Sequence, residues 1–494
     1  MNERGKLLAL AVIVSLLIGA GGMYAGMSVF TDQPDDAVAE GSAPLFPAPG
    51  EGVELSEEAL VKFGKAYQLI NERYVEAVDE EMLLEGAIEG MLGTLEDPYS
   101  VYMDRETAQQ FMESLDSHFE GIGAEVSMTN GNVTIVAPFR DSPAEKAGLQ
   151  PNDQILEIDG ESIEGLSLYE AVLQIRGEKG SIVNLTIDRQ GVNDPIQIDV
   201  ERDEIPYETV YTDLIEHQGQ KVGVIEITSF SEDTSKDFAA GLNQLEEQGI
   251  DGLIIDVRGN PGGYLNSVDE IGNLVIPNNE PIVQIQDRSG ERVRYLSSLE
   301  EAKPYPIIGV IDRGSASASE ILAGALKEAG GYDLVGETTF GKGTVQQAIQ
   351  LGDGSEIKLS LFKWLTSAGN SINEVGVDPT IEVEQPAYFY LSPLHVEDDE
   401  MLEYDMINQQ IANAQEMLKG LGLEPGRTDG YFSSQTEAAV KAFQETQGLE
   451  VTGKIGAETA SALHQQILEE VRDEANDRQL NTAIELLLQQ ISND

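Results

Sequence analysis

Three stretches rich in Val and Ile, Val222 to Phe230, Gly252 to Val257 and Ile307 to Ile311, constrain this chain more than anything else in it, because two of them run straight into turns of small residues. Apolar runs this short read as strands. The second ends in Arg258-Gly259-Asn260-Pro261-Gly262-Gly263. The third feeds Asp312-Arg313-Gly314-Ser315-Ala316-Ser317-Ala318-Ser319-Glu320, after which Ile321, Leu322, Ala325 and Leu326 take helical spacing. A small-residue turn therefore joins strand to helix. Such a turn exposes a side chain and points the N–H groups of the helix start at whatever lies above it. A developing oxyanion would be stabilised there. A serine at this place serves equally well as a helix N-cap, and the local sequence does not separate Ser315, Ser317 and Ser319.

A serine nucleophile needs a base, and Phe340-Gly341-Lys342-Gly343-Thr344-Val345-Gln346-Gln347 offers a lysine between two glycines, leading into an apolar β run. Lysine serves as a base only when desolvation or a neighbouring cation brings its pKa from about 10.4 toward neutrality. Flanking glycines permit the close packing that dries its amine. A phosphate-binding loop would require G-x-x-x-x-G-K-[ST]; here Gly343 follows Lys342, so that pattern fails.

Composition narrows the alternatives. Thirty basic against 88 acidic residues leave a net charge of -58 over 494 residues, which repels a phosphate backbone and argues against nucleic-acid binding. The acid excess reads as a solvated surface. The length suits about two to four domains. With no Cys, disulfides, thiolate zinc sites and a Cys nucleophile are excluded; His118, His217, His395 and His464 are scattered and suggest neither a metal site nor a Ser-His-Asp triad. No metal and no cofactor are expected.

Leu7 to Phe30 is apolar or small apart from Ser15, Tyr24 and Ser28, long enough to span a bilayer, with Arg4 and Lys6 before it and Asp32, Asp35 and Asp36 after it. An uncleaved single-pass anchor at residues 1–30 is expected in preference to a signal peptide, whose apolar region is shorter. The bulk would then lie outside the cytoplasm. Residues 31–54, rich in Pro, Gly, Ala and Asp, read as a linker. In residues 55–116, Leu60, Phe63, Tyr67, Ile70 and Tyr74 form one helical stripe behind Ser56 as N-cap, and Leu84, Ile88 and Met91 another. Intramolecular core or a subunit interface would cover them. Asp97-Pro98-Tyr99-Ser100 breaks the run as a turn.

Residues 117–203 alternate short β runs (133–137, 155–158, 183–187) with turns, and one helix lies near 168–175. The pair Gly121-Ile122-Gly123-Ala124, with Ala144-Glu145-Lys146-Ala147-Gly148-Leu149 and Asn152-Asp153-Gln154-Ile155, resembles PDZ domains of bacterial proteases. Successive N–H groups in a tight turn make a nest for a carboxylate, and the adjoining sheet edge accepts a peptide strand. Arg176, ending the expected PDZ helix, is a candidate sensor of peptide docking.

Gly314 to Leu326 and Thr339 to Gln347 together resemble the Ser-Lys carboxyl-terminal processing peptidases, or tail-specific proteases, over about Leu55 to Pro379. That resemblance implies an α/β multidomain chain, with a crotonase-like αβ protease core at 204–390, an inserted PDZ domain and an N-terminal helical segment. It implies Ser317 as nucleophile, Lys342 as general base, Gln346 as the residue that orients the lysine, and the N–H groups of Ala318 and of Gly262 or Gly263 as oxyanion hole. Substrates would be proteins with apolar carboxyl-terminal tails, and a homodimer is expected by the family's habit. An inactive PDZ and cell-wall-binding scaffold is the competing reading; the presence of both Ser317 and Lys342 favours the enzyme.

In residues 391–466, Thr428-Asp429-Gly430-Tyr431-Phe432 and Ala439-Val440-Lys441-Ala442-Phe443-Gln444 resemble the small all-α peptidoglycan-binding domain of cell-wall enzymes, with Leu418, Leu421, Val440 and Phe443 as core. A helical tail occupies 467–494. Its stripe of Leu480, Ile484, Leu487 and Ile491 needs a partner surface, either a second subunit or its own domain.

Overall fold

The computed structural model describes residues 56–494 apart from 114–117, 130–131, 140–141, 167, 190–191, 193–194, 218, 395, 397–399 and 494. The expected anchor at 1–30 and the linker at 31–54 lie outside the described residues.

Helices Glu57–Arg73 and Glu80–Gly93 begin as their sequence dictates: Ser56 Oγ accepts from the Ala59 N–H, and Asp79 accepts from those of Glu81 and Met82. Neither helix buries a residue, and Leu60 and Phe63 stay 53% and 50% exposed. The stripes are therefore not covered by this chain's described core. The turn after them is closed by Asp97, which accepts from the Tyr99 N–H (3.0 Å) and the Ser100 hydroxyl (2.6 Å).

The PDZ unit is a sheet of strands Ala124–Thr129, Asn132–Pro138, Gln154–Ile158, Ile182–Asp188 and Ile196–Glu201 in that order, with helix Leu168–Ile175 against its first strand. Its core holds Ile135, Ile155, Val183, Leu185 and Ile187. A two-stranded ribbon, His118–Gly121 against Asp203–Pro206, joins it to the rest of the chain.

Two sheets build the α/β core. In the larger, Gln220–Ile227 lies antiparallel to Val210–His217 and parallel to Gly252–Asp256, followed by Ile307–Ile311, Asp333–Gly336 and Ile381–Glu382, all parallel. Helices Thr234–Glu247, Leu265–Val275 and Ala318–Glu328 contribute to one apolar cluster. The other face explains why these strands read as unbroken apolar runs: it too is covered. The cover is the C-terminal helix Arg478–Asn493, whose Ala483, Ile484 and Leu487 are buried against Val222, Ile254, Ile308 and Val335. A Cβ added at Gly252 would fall 2.7 Å from Leu487 Cδ2. The tail stripe thus packs on the larger sheet of its own chain. Leu487→Ala is expected to cost about 2–5 kcal/mol, read as a lowered midpoint in chemical unfolding.

The smaller sheet orders Val101–Met103, Glu356–Leu365, Pro281–Gln286 and Arg292–Leu296, with Thr344–Gln350 also pairing Glu356–Leu365. Val101 pairs with Lys358, so the N-terminal segment is stitched into the core. Beyond the core, helices Gln409–Gly420, Ser434–Gln447 and Ala457–Arg472 pack around Met417, Leu418, Phe432, Val440 and Phe443, with Leu421 partly buried at the edge.

Candidate active site

Strand Ile307–Ile311 delivers the serine turn, and Asp312 folds it: its Oδ1 accepts from the N–H groups of Gly314 (2.9 Å), Ser315 (3.1 Å) and Gly259 (2.8 Å). The three serines then separate. Ser315 Oγ donates to the Val257 carbonyl (2.8 Å) and Ser319 Oγ to that of Asn260 (2.8 Å), and both are fully buried. They rivet the turn to the Arg258–Gly263 loop. Ser317 makes no such donation among the described residues; it is 7% exposed and sits at φ 55°, ψ -111° directly before helix Ala318–Glu328. A serine in the positive-φ region is held there against about 1–3 kcal/mol of strain.

Opposite the turn lies the glycine pair. A Cβ at Gly262 would come within 2.8 Å of Ser317 Cβ and 3.0 Å of the Ala318 nitrogen, and one at Gly263 within 2.0 Å of the Phe230 carbonyl oxygen. Only glycine fits at either place. The Gly262 N–H is engaged, donating to Asn260 Oδ1 (2.8 Å), while buried Asn260 also donates to the Ile227 carbonyl. Among the described residues the N–H groups of Gly263 and Ala318 have no acceptor. Of the two glycines named from sequence, Gly263 is the one with a donor to spare.

The lysine loop packs as its glycines require. A Cβ at Gly341 would press on the Val375 nitrogen at 3.0 Å, and one at Gly343 on Asn373 Cβ at 2.7 Å. Lys342 is 4% exposed, with Nζ 5.0 Å from the centroid of the Tyr99 ring. Burial lowers its pKa to about 8, against the opposing pull of Glu320 and Asp97. A base must be uncharged to accept a proton. Were Lys342 the base of a hydrolytic reaction, the rate would fall as pH drops through about 8, seen as the acidic limb of kcat/KM against pH.

Glu320 ties the two loops together. Its Oε2 accepts from the backbone N–H groups of Ser317 (2.9 Å) and Lys342 (2.8 Å), and its Oε1 from the Thr339 hydroxyl and the Gly341 N–H (both 2.6 Å). Burial raises its pKa, while these four donors oppose that. Glu320 has no assigned role in the sequence motifs alone. The signal was present: Ser followed three residues later by Glu at a helix start is a capping-box pattern, which brings that carboxylate back to the serine N–H.

Gln346 is 1% exposed and its Nε2 donates to the hydroxyls of Thr344 (2.8 Å) and Ser360 (3.0 Å). Its Oε1 is buried without a partner among the described residues. The Lys342 amine makes no hydrogen bond to Ser317 or Gln346 among the described residues. The structure brings the backbones of Ser317 and Lys342 onto one carboxylate but does not join their side chains.

The PDZ residues form a separate cradle. Ile122 and Gly123 turn their carbonyls to the N–H groups of Ala144 (2.8 Å) and Phe139 (2.9 Å), and Gly123, at φ 70°, leaves no room for a Cβ beside Ser142. The strand that starts at Ala124 is the open edge of the PDZ sheet, and Gly121 ends the connecting ribbon. Arg176 lies 5.0 Å over the Phe119 ring and donates to the Tyr207 hydroxyl (3.3 Å), which places it at the connecting ribbon. A second device missed from sequence is Arg258, which binds Asp256 (2.6 Å) and Asp477 (2.8 Å) and so ties the glycine loop to the C-terminal helix.

An α/β core carrying a serine at a helix start, with a PDZ domain set ahead of it, is the architecture of a serine-type peptidase. Residues 221–383 match Peptidase family S41, 121–200 a PDZ domain, 408–463 a putative peptidoglycan binding domain, and 16–107 the activating protease CtpB N-terminal domain. The chain is 52% identical over 488 residues to the carboxy-terminal processing protease CtpB of Bacillus subtilis, covering 99% of both. It is 39% identical over 426 residues to CtpA of the same organism, covering 86% of this chain and 90% of that one. This chain belongs to the carboxy-terminal processing proteases of family S41.

Proposed function

We propose that the protein cleaves other proteins near their carboxyl termini by acyl transfer, with Ser317 as nucleophile and Lys342 as base. Ser317 Oγ attacks the peptide carbonyl as its proton passes to Lys342 Nζ; the C–N bond then breaks, the amine leaves with that proton, and water releases the acyl group. The N–H groups of Ala318 and Gly263 receive the oxyanion. One observation carries this reading: a single buried carboxylate, Glu320, holds the backbones of a strained serine and a dried lysine. Completion requires the Lys342 side chain to turn toward Ser317, where Gln346 Oε1 is available to orient it. The test is digestion of an unfolded protein by the wild type, Ser317→Ala and Lys342→Ala; equal rates in all three refute the assignment.

Substrate tails would reach the site through the PDZ cradle, the carboxylate at the Ile122 and Gly123 N–H groups and the peptide as an added strand beside Ala124–Thr129. Arg176, seated between Phe119 and Tyr207, would sense that docking. Arg176→Ala is expected to keep basal hydrolysis and lose stimulation by added tail peptide; unchanged stimulation removes the sensor role. The three-helix domain would bind peptidoglycan, which fits a single-pass membrane anchor and an extracytoplasmic catalytic part. The exposed stripes of the two N-terminal helices would join two copies into a homodimer.

A further inference from the structure

Two peptide planes meet at the Cα of Lys342, and both are pinned at each end. In the plane before it, the Gly341 carbonyl accepts from the Glu374 N–H (2.8 Å) and the Lys342 N–H donates to Glu320 Oε2 (2.8 Å). In the plane after it, the Gly343 N–H donates to Asn373 Oδ1 (3.3 Å), and the Lys342 carbonyl accepts from the indole Nε1 of Trp364 at 2.7 Å. The Gly341 N–H and the Gly343 carbonyl are also engaged, by Glu320 Oε1 (2.6 Å) and by the Trp364 N–H (3.1 Å). Each peptide unit is rigid, so two fixed planes fix the direction in which the Lys342 side chain leaves the chain.

The register explains how Trp364 comes to supply two of these bonds. It lies on strand Glu356–Leu365, paired with Ile285 on one edge; on the other, Thr344 pairs with Lys363, which sets Gly343 opposite Trp364. The residue is 1% exposed and belongs to the apolar cluster that includes Ala318, Ile321 and Leu322 of the nucleophile helix. It is the single tryptophan of the sequence. Phe or Leu would fill core space equally well. The indole adds a donor without an acceptor, which is what a buried carbonyl requires. The amine at the far end of Lys342 is held differently: it makes no hydrogen bond to Ser317 or Gln346 among the described residues and stands 5.0 Å from the Tyr99 ring centroid.

We propose that Trp364 is a positioning residue for Lys342: its indole N–H locks the peptide plane behind the base, so that the side chain alone has to turn for the amine to meet Ser317. The inference rests on Lys342 being the general base. Proton transfer needs donor and acceptor about 3 Å apart, and a displacement of about 1 Å is enough to cost roughly 100-fold in rate. Without the indole donor the buried Lys342 carbonyl has no partner, and its plane tilts toward whatever donor it can find. The Cα–Cβ bond of the base tilts with it.

The test is hydrolysis of an unfolded protein by the full-length chain. Trp364→Phe is expected to lower kcat by about fivefold to 100-fold, with KM within about twofold of the wild type. Because this change also removes volume, the donor is tested separately. Benzothienylalanine, in which sulfur replaces the indole N–H, is incorporated in place of the one tryptophan; it should melt near the wild type and lose kcat as Trp364→Phe does. Fluorotryptophan, which keeps the N–H, should retain wild-type kcat. A fall of less than about fivefold in the folded benzothienylalanine protein, or a loss seen in KM alone, overturns the proposal. Wild-type rates in Lys342→Ala would instead overturn the base assignment beneath it. Should neither altered protein fold, wild-type protein labelled with 15N in tryptophan decides: its single indole N–H signal should exchange slowly with heavy water, and exchange as fast as that of free tryptophan refutes the bond.

Discussion

Ser317→Ala is expected to lower hydrolysis of an unfolded protein by about 10⁴- to 10⁶-fold while leaving the melting temperature near that of the wild type. Its hydroxyl anchors none of the loop carbonyls, so its loss removes chemistry and little else. Ser315→Ala and Ser319→Ala should behave in the opposite way. Each deletes a donation to a buried carbonyl, of Val257 or Asn260, at a cost of about 1–3 kcal/mol in stability, and retains most activity in the molecules that fold. Kinetics and thermal melts of the three variants check this; a Ser317→Ala enzyme within tenfold of the wild type would remove the nucleophile assignment.

Glu320→Ala should be the most damaging change outside Ser317 and Lys342. It strips the acceptor from three buried N–H groups and one hydroxyl at once, and at about 1–3 kcal/mol for each unsatisfied donor the expected loss is at least 3 kcal/mol. The same substitution frees the lysine loop from the serine turn, so kcat should fall by at least 100-fold even where the protein is folded. Glu320→Gln retains two acceptor lone pairs but turns an NH₂ toward donors, and should fall between the two. Equal stability of Glu320→Ala and wild type in chemical unfolding would show that the four hydrogen bonds do not hold the loops.

Much of the site was legible because its signals are local. The serine turn, the glycines beside Lys342 and the alternation of the PDZ strands are set by neighbours in sequence. The short strand at 133–137 extends by one residue at each end in the structure, and the helix at 168–175 falls where it was placed. Glu320 was readable in principle, through its spacing from Ser317, yet its reach to Gly341 and Lys342 was not.

The chain order by itself determined the family, the order of domains and the three candidate serines, since these depend on residue types at fixed short separations. Only the tertiary structure gives the three serines different surroundings, because carbonyls 58 and 59 positions away occupy the hydroxyls of Ser315 and Ser319 and not that of Ser317. It likewise assigned the C-terminal helix to the larger sheet and paired Val101 of the N-terminal segment with Lys358 of the core. An apolar stripe or a buried amine states what it must avoid, which is water; which surface shields it is decided by the packing of segments far apart in sequence.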